Sequence, residues 1–95
     1  MFKELDPILH SPLRLAIISL LVKEGEFDFN TIKEKTGATS GNISVQLKKL
    51  EEAQYITIEK GYKNNYPHTG VIISKKGLQA FEEYVNTLKD YLDVK

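Results

Sequence analysis

Two residues, Gly37 and Ala38, are all that separate one short helical pattern from Thr39, the cap of the next. The upstream segment, "EFDFNTIKEKTGA", reads as a helix capped by Asp28. Phe27 stands before the cap and Ile32 at the fourth helical position, the spacing of a hydrophobic staple. Gly37 provides the left-handed residue that stops this helix. Downstream, Ile43, Leu47, Leu50 and Ala53 recur at spacings of four, three and three, so they form one apolar stripe. A helix, a tight glycine turn and a second helix make a helix-turn-helix, expected over about residues 28–53.

The second helix begins with "SGN", small polar residues of poor helix propensity. That choice needs a reason outside the helix. In helix-turn-helix proteins the N-terminal part of the second helix enters the major groove. Gly41 lets the backbone approach a sugar-phosphate closely. The N–H groups at the positive end of the helix suit a phosphate. Ser40 and Ser44 can donate to phosphates as well, which positions a protein without reading sequence. Away from the apolar stripe lie Asn42, Val45, Gln46 and Lys49. Asparagine and glutamine can pair with adenine edges, and Val45 can touch a thymine methyl. No arginine lies on this helix. Arginine to guanine is the commonest base-specific contact, so readout is expected to lean toward A·T pairs.

After the helix-turn-helix, "YITIEK" (residues 55–60) alternates and is rich in β-branched and aromatic residues, so it reads as a strand. "HTGVIIS" (residues 68–74) reads as its partner, giving a hairpin over about residues 55–74. Between them "GYKNNYP" forms a polar tip, longer than a tight hairpin requires. Lys60, Lys63, Asn64 and Asn65 are candidates there for contact with phosphates. Tyr62 or Tyr66 can brace the loop or lie along a sugar, and beside Pro67 packing is the expectation.

Two further helices flank this unit. In "HSPLRLAIISLLVKEGE" Ser11 is the expected cap, Pro12 suits the first helical position and Gly25 ends the helix. Leu13, Ala16, Ile17, Leu20 and Leu21 form one apolar face, and Leu15, Ile18 and Val22 a second. A helix apolar around most of its circumference is covered on more than one side. Ser74 caps the last helix, about residues 75–92. Its Leu78, Phe81, Val85, Leu88 and Leu92 follow a heptad seam, which Tyr84 and Tyr91 widen, and no apolar segment follows to cover it. Leu9, Leu13, Ile17, Phe81, Tyr84, Val85, Leu88, Tyr91 and Leu92 are therefore the expected dimer contacts. The order is helix, helix, helix, strand, loop, strand, helix. That is a winged helix-turn-helix, mainly α with a β-hairpin wing (α+β), in a single domain of 95 residues with a C-terminal dimerisation helix.

Charge agrees with this placement. The net charge is zero, yet residues 40–76 hold six lysines and three acids, while residues 1–39 and 77–95 are net acidic. The absence of cysteine excludes disulfides and thiolate zinc sites. His68 has no second histidine or acidic cluster beside it, so no metal site is expected. The longest apolar run, "LAIISLLV", falls short of the roughly 20 residues a span needs, and "MFKELDP" is not a signal sequence. A cytoplasmic protein without a cofactor is the expectation. No acid–base pair, activated nucleophile or phosphate-binding glycine loop is recognisable, so no enzyme is expected and no residue is assigned a catalytic role. Ser11 beside His10 is explained by capping.

Three segments resemble the small winged-helix regulators related to the MarR superfamily: "LDPILHSPLRLAIISLL", "TGATSGNISVQLKKLEEAQYI" and "KGYKNNYPHTGVIISKKGLQAF". Together they span nearly the whole chain. The most specific parts are the join "LxxLEEAxYI" and the helix start "SKKGLQAF". That family usually has glycine after "EEA", where this chain has Gln54, so Gln54 must take a strained left-handed turn or another geometry. The resemblance implies a homodimer that binds pseudo-palindromic double-stranded DNA and regulates transcription. It places Ser40, Gly41, Asn42, Ser44, Val45, Gln46 and Lys49 at the groove, and Lys63 with its neighbours at the wing. Larger relatives hold a phenolic or other small ligand between the DNA-binding lobe and long dimer helices. This chain lacks those extra helices, so an effector stays unassigned. Zero net charge and the missing arginine keep a second reading open, a winged-helix protein-interaction module without DNA binding.

Overall fold

A computed structural model describes residues 2–93. Four helices and three strands follow in the order α1 (Pro12–Glu24), β1 (Glu26–Asp28), α2 (Phe29–Thr36), α3 (Ser40–Glu52), β2 (Ile56–Lys63), β3 (Tyr66–Ile73) and α4 (Lys75–Leu92). The sheet is antiparallel in the order β1-β3-β2. The helices enclose a core of Leu9, Ile17, Ile18, Leu21, Ile32, Ile43, Leu47 and Leu50, closed on the sheet side by Tyr55, Ile56 and Val71.

The helix-turn-helix forms from local signals. Asp28 accepts from the Thr31 N–H at 2.7 Å and starts α2. Gly37 adopts φ 70° and ends it. Thr39 caps α3 by accepting from the Asn42 N–H at 3.2 Å, and Ile43, Leu47 and Leu50 turn inward from it. The bonds from Thr31 hold the Asp28 carboxyl below the usual carboxylate range, partial burial opposes them, and nearby Lys63 helps to a smaller degree.

Several expectations change. Residues 26–28 form a third strand, pairing Phe27 with Val71. Three residues are too few to show a period, and the strand exists because the free edge of β3 gives it a partner. The wing tip is a two-residue turn rather than a long loop. Lys63 pairs with Tyr66, and Asn64 and Asn65 carry φ of 52° and 66°. Positive φ at both central residues is what a tight hairpin turn demands, and asparagine tolerates it. Ser11 occupies the cap position of α1 without a side-chain cap bond.

The chain's own start lies along α4. Phe2 stacks on Tyr91 at 4.7 Å between ring centroids. The Tyr91 hydroxyl donates to the Lys3 carbonyl at 2.5 Å. Tyr55 donates to Asp6 at 2.5 Å, and its burial together with this bond pushes its pKa up to about 12. Part of the surface expected to await a partner is thus covered from upstream.

The join between α3 and α4 is close. Gln54 takes φ 66°. The Tyr55 N–H reaches back to the Leu50 carbonyl at 3.0 Å and that of Gln54 to Glu51 at 2.9 Å. This is a Schellman end with glutamine in the glycine position. Ser74 then ties the two elements. Its hydroxyl donates to the Gln54 carbonyl at 2.7 Å, and its N–H donates to the Tyr55 carbonyl at 3.0 Å. The same hydroxyl accepts from the Gly77 N–H at 2.9 Å and caps α4.

Candidate nucleic-acid interface

The amino end of α3 stands in solvent. Thr39, Ser40, Gly41, Asn42, Ser44, Val45 and Lys49 are all exposed, and Val45 keeps 51% of its surface. Thr39 satisfies only the Asn42 N–H, so the amides of Ser40 and Gly41 remain outside the helical ladder, pointing from its positive end. A β-carbon added at Gly41 would meet nothing within 4 Å. The protein's own packing does not ask for glycine there. A glycine in a helix costs roughly 0.5–1 kcal/mol relative to alanine.

Asn42, Val45, Gln46 and Lys49 share one face of α3, as the spacing implied. Gln46 differs from its neighbours in being half-buried. Arg14 Nη1 of α1 donates to Gln46 Oε1 at 2.6 Å, and Gln46 Nε2 donates to Asn42 Oδ1 at 3.0 Å. Arg14 Nε also donates to the Ile8 carbonyl at 2.6 Å, which holds the guanidinium in place. The chain's single arginine therefore does reach this helix, from α1. No local pattern signals a partner 32 residues away.

Strand pairing divides the wing residues. Lys63 faces Tyr66 directly, while Lys60 lies opposite Thr69 and Tyr62 opposite Pro67. Since side chains alternate along a strand, Lys60 and Tyr62 share the face that carries Ile56 and Ile58, and Lys63 and Tyr66 leave the other. Lys60 thus joins Ser44 and Lys48 around a cleft of about 420 Å³ floored by Phe29, Leu47 and Ile58. Tyr62 and Tyr66 are 80% and 74% exposed, against the expectation of packing beside Pro67. Asn64 and Asn65 form the turn itself and are exposed. Among the described residues the one ion pair is Lys3–Glu83, so Lys48, Lys49, Lys60 and Lys63 are tied up in none, although Glu51 lines the same cleft as Lys48 and Lys60.

The expected dimer residues divide too. Leu9 and Ile17 are fully buried, and Tyr84 is 5% exposed, all within this chain's own core. They have no surface left for a second subunit. Tyr84 lies with Gly77 and Thr87 on the inner flank of α4, where its hydroxyl meets His10 Nδ1 at 3.1 Å. An apolar stripe does not say which flank meets the home core. Leu13, Phe81, Val85 and Leu88 are half-buried, and Leu78, Tyr91 and Leu92 are exposed, Leu92 at 75%. No helix among the described residues is long and apolar enough to cross a membrane.

Comparison with known proteins gives this geometry a setting. A family model described as a winged helix DNA-binding domain matches residues 13–92. An uncharacterized protein of Methanocaldococcus jannaschii is 36% identical over 78 residues, which cover 82% of this chain and 85% of that protein. The structure of a transcriptional regulator homologue from Pyrococcus horikoshii superposes with a TM-score of 0.84 at 28% identity, covering 92% of this chain and 89% of that one. The transcriptional repressor BigR from Xylella fastidiosa gives a TM-score of 0.64 at 23% identity over 93% of this chain and 82% of its own, a likeness of fold. The expected winged-helix fold is thus found, and the family model that matches is one of DNA-binding winged helices.

Proposed function

The chain belongs to the winged helix DNA-binding domain family, and from that premise we propose that it is a homodimeric transcriptional regulator that binds double-stranded DNA sequence-specifically. One observation carries this reading: the amino end of α3 is uncovered and built of small polar residues that the protein's own packing does not require. Ser40, Gly41 and Ser44 are placed to meet phosphates, Asn42 and Val45 to meet base edges, and Lys49, Lys60 and Lys63 to neutralise the backbone. Phosphate contacts of this kind make affinity fall steeply with salt. The second subunit belongs, in this reading, on the outer flank of α4, where Leu78 and Leu92 are exposed and Phe81, Val85 and Leu88 half-buried at heptad spacing. Leu13 borders that flank.

Selection of bound duplexes from a random pool tests site and symmetry together. A two-fold site with half-sites about one helical turn apart, near 34 Å, is the expected result for a dimer. Fluorescence anisotropy on the selected duplex then tests the contacts. Lys49→Ala and Lys63→Ala should each weaken binding and lower the salt slope by about one. Binding undetectable at low salt, or indifferent to both lysines, would overturn the proposal and favour a protein-interaction module.

A further inference from the structure

The hydrogen bonds from α1 into α3 have a direction. A guanidinium has donors only, so Arg14 Nη1 can hold Gln46 solely by the oxygen end of its amide. That choice sends Gln46 Nε2 along the helix to Asn42, one turn toward the amino end, where it requires an acceptor. Asn42 must then offer Oδ1, which leaves its Nδ2 donors turned outward. The anchor itself is fixed, because Arg14 Nε is bonded to the Ile8 carbonyl at 2.6 Å. Neither amide can rotate by half a turn without setting donor against donor.

We infer that Arg14 is a positioning residue that sets the polarity of the Gln46–Asn42 amide pair, making Asn42 the adenine reader of the recognition helix. Bidentate pairing with adenine needs an amide N–H toward N7 and a carbonyl oxygen toward the N6 amino group. Asn42 Oδ1 has a second lone pair free for the amino group after accepting from Gln46. Gln46 is not itself a bidentate reader, since its oxygen faces Arg14 and one N–H faces Asn42. This inference rests on the DNA-binding reading above and assigns within it which side chain discriminates and which only orients.

The decisive variant is Gln46→Glu. A carboxylate keeps its bond to Arg14 and gains charge assistance, so the anchor survives. It cannot donate to Asn42, whose amide must turn over and present Oδ1 to the duplex, facing N7 acceptor to acceptor. Affinities are measured for duplexes from the selected site that differ at the one base pair Asn42 meets. Only their ratio is read, so the uniform repulsion between the added carboxylate and phosphates cancels. In the unsubstituted protein adenine should be preferred on the order of tenfold. In Gln46→Glu that preference should disappear. Arg14→Gln offers Gln46 both ends of an amide, so two polarities become equally populated and the preference should fall by about twofold.

A second measurement needs no DNA. In the free protein the side-chain amide protons of Gln46 should exchange with solvent more slowly than those of exposed Gln79, and Arg14→Ala, which removes the anchor, should abolish the difference. An unchanged base preference in Gln46→Glu, or equal exchange at Gln46 and Gln79 before substitution, overturns the inference while leaving DNA binding standing. Failure of the unsubstituted protein to bind any duplex overturns the DNA-binding reading and the assignment of Asn42 with it.

Discussion

Gly77→Ala should be among the most damaging single-methyl changes available in this chain. Gly77 lies in the first turn of α4, pressed onto the start of β2. A β-carbon there would overlap the Tyr55 carbonyl oxygen, and would lie 3.0 Å from its carbonyl carbon and 3.1 Å from Ile73 Cγ1. The obstacle is backbone, so no rotamer change relieves it. The first turn of α4 must retreat by about 1 Å before the carbon–oxygen approach returns to an ordinary ~3.3 Å. That movement strains the Ser74 N–H bond to Tyr55 and the Ser74 hydroxyl bond to Gln54. Overpacking costs about 1–3 kcal/mol, and weakening one or two hydrogen bonds adds about 0.5–1.5 kcal/mol each. Alanine returns up to about 1 kcal/mol through helix propensity. The net loss is about 2–3 kcal/mol, set against a stability of about 5–15 kcal/mol for a domain of this kind. Urea unfolding followed by far-UV circular dichroism, at matched protein concentration, measures it directly. The midpoint should drop with the slope unchanged. Thermal midpoints should fall by about 8–20 °C. Gly61→Ala is the control, because a β-carbon there meets nothing within 4 Å. A Gly77→Ala protein as stable as the Gly61→Ala protein would refute the reasoning.

Three other outcomes follow from the same geometry. Gly41→Ala should raise stability by about 0.5–1 kcal/mol and weaken duplex binding at once, two effects separated by denaturant titration and anisotropy. Gln54→Gly should stabilise by up to about 1 kcal/mol, the relief of left-handed strain reduced by the extra freedom of glycine in the unfolded chain; equal or lower stability in urea would contradict it. Asp28→Ala should cost about 1 kcal/mol at neutral pH through loss of the α2 cap. Because folding lowers the Asp28 pKa, its contribution is complete above the unfolded value, about 3.9, and is lost as pH falls through the folded value beneath it. The gap between the two proteins should therefore narrow in unfolding curves taken below about pH 4.

Features written in adjacent residues are legible in the sequence itself. Asp28, Gly37, Thr39 and Ser74 act over three or four positions, and each starts or stops a helix where its chemistry says it should. The alternation of Ile56 and Ile58 likewise identifies a strand. What escapes is set by partners far away along the chain. Glu26–Asp28 is a strand only because β3 offers an edge. Tyr91 and Phe2 meet across 89 positions, which no periodicity records. The seam of α4 is visible as a stripe, but spacing does not tell the flank that buries Tyr84 and Thr87 from the flank that leaves Leu92 bare. At the candidate interface, the exposed positions of α3 follow from spacing, whereas Arg14 does not, because its role exists only once α1 crosses α3.

The strap formed by Phe2, Lys3 and Asp6 along α4 has a consequence for any assembly built on that helix. If two copies join along the outer flank of α4, each strap holds the opposite flank, at Glu83 and Tyr91, and so sets how α4 is seated on its own core. Peptide appended ahead of Phe2, or a truncation that removes it, then acts on how the copies are spaced. The effect would be felt as a changed preference for the distance between half-sites, in a protein whose groove-facing residues are all intact.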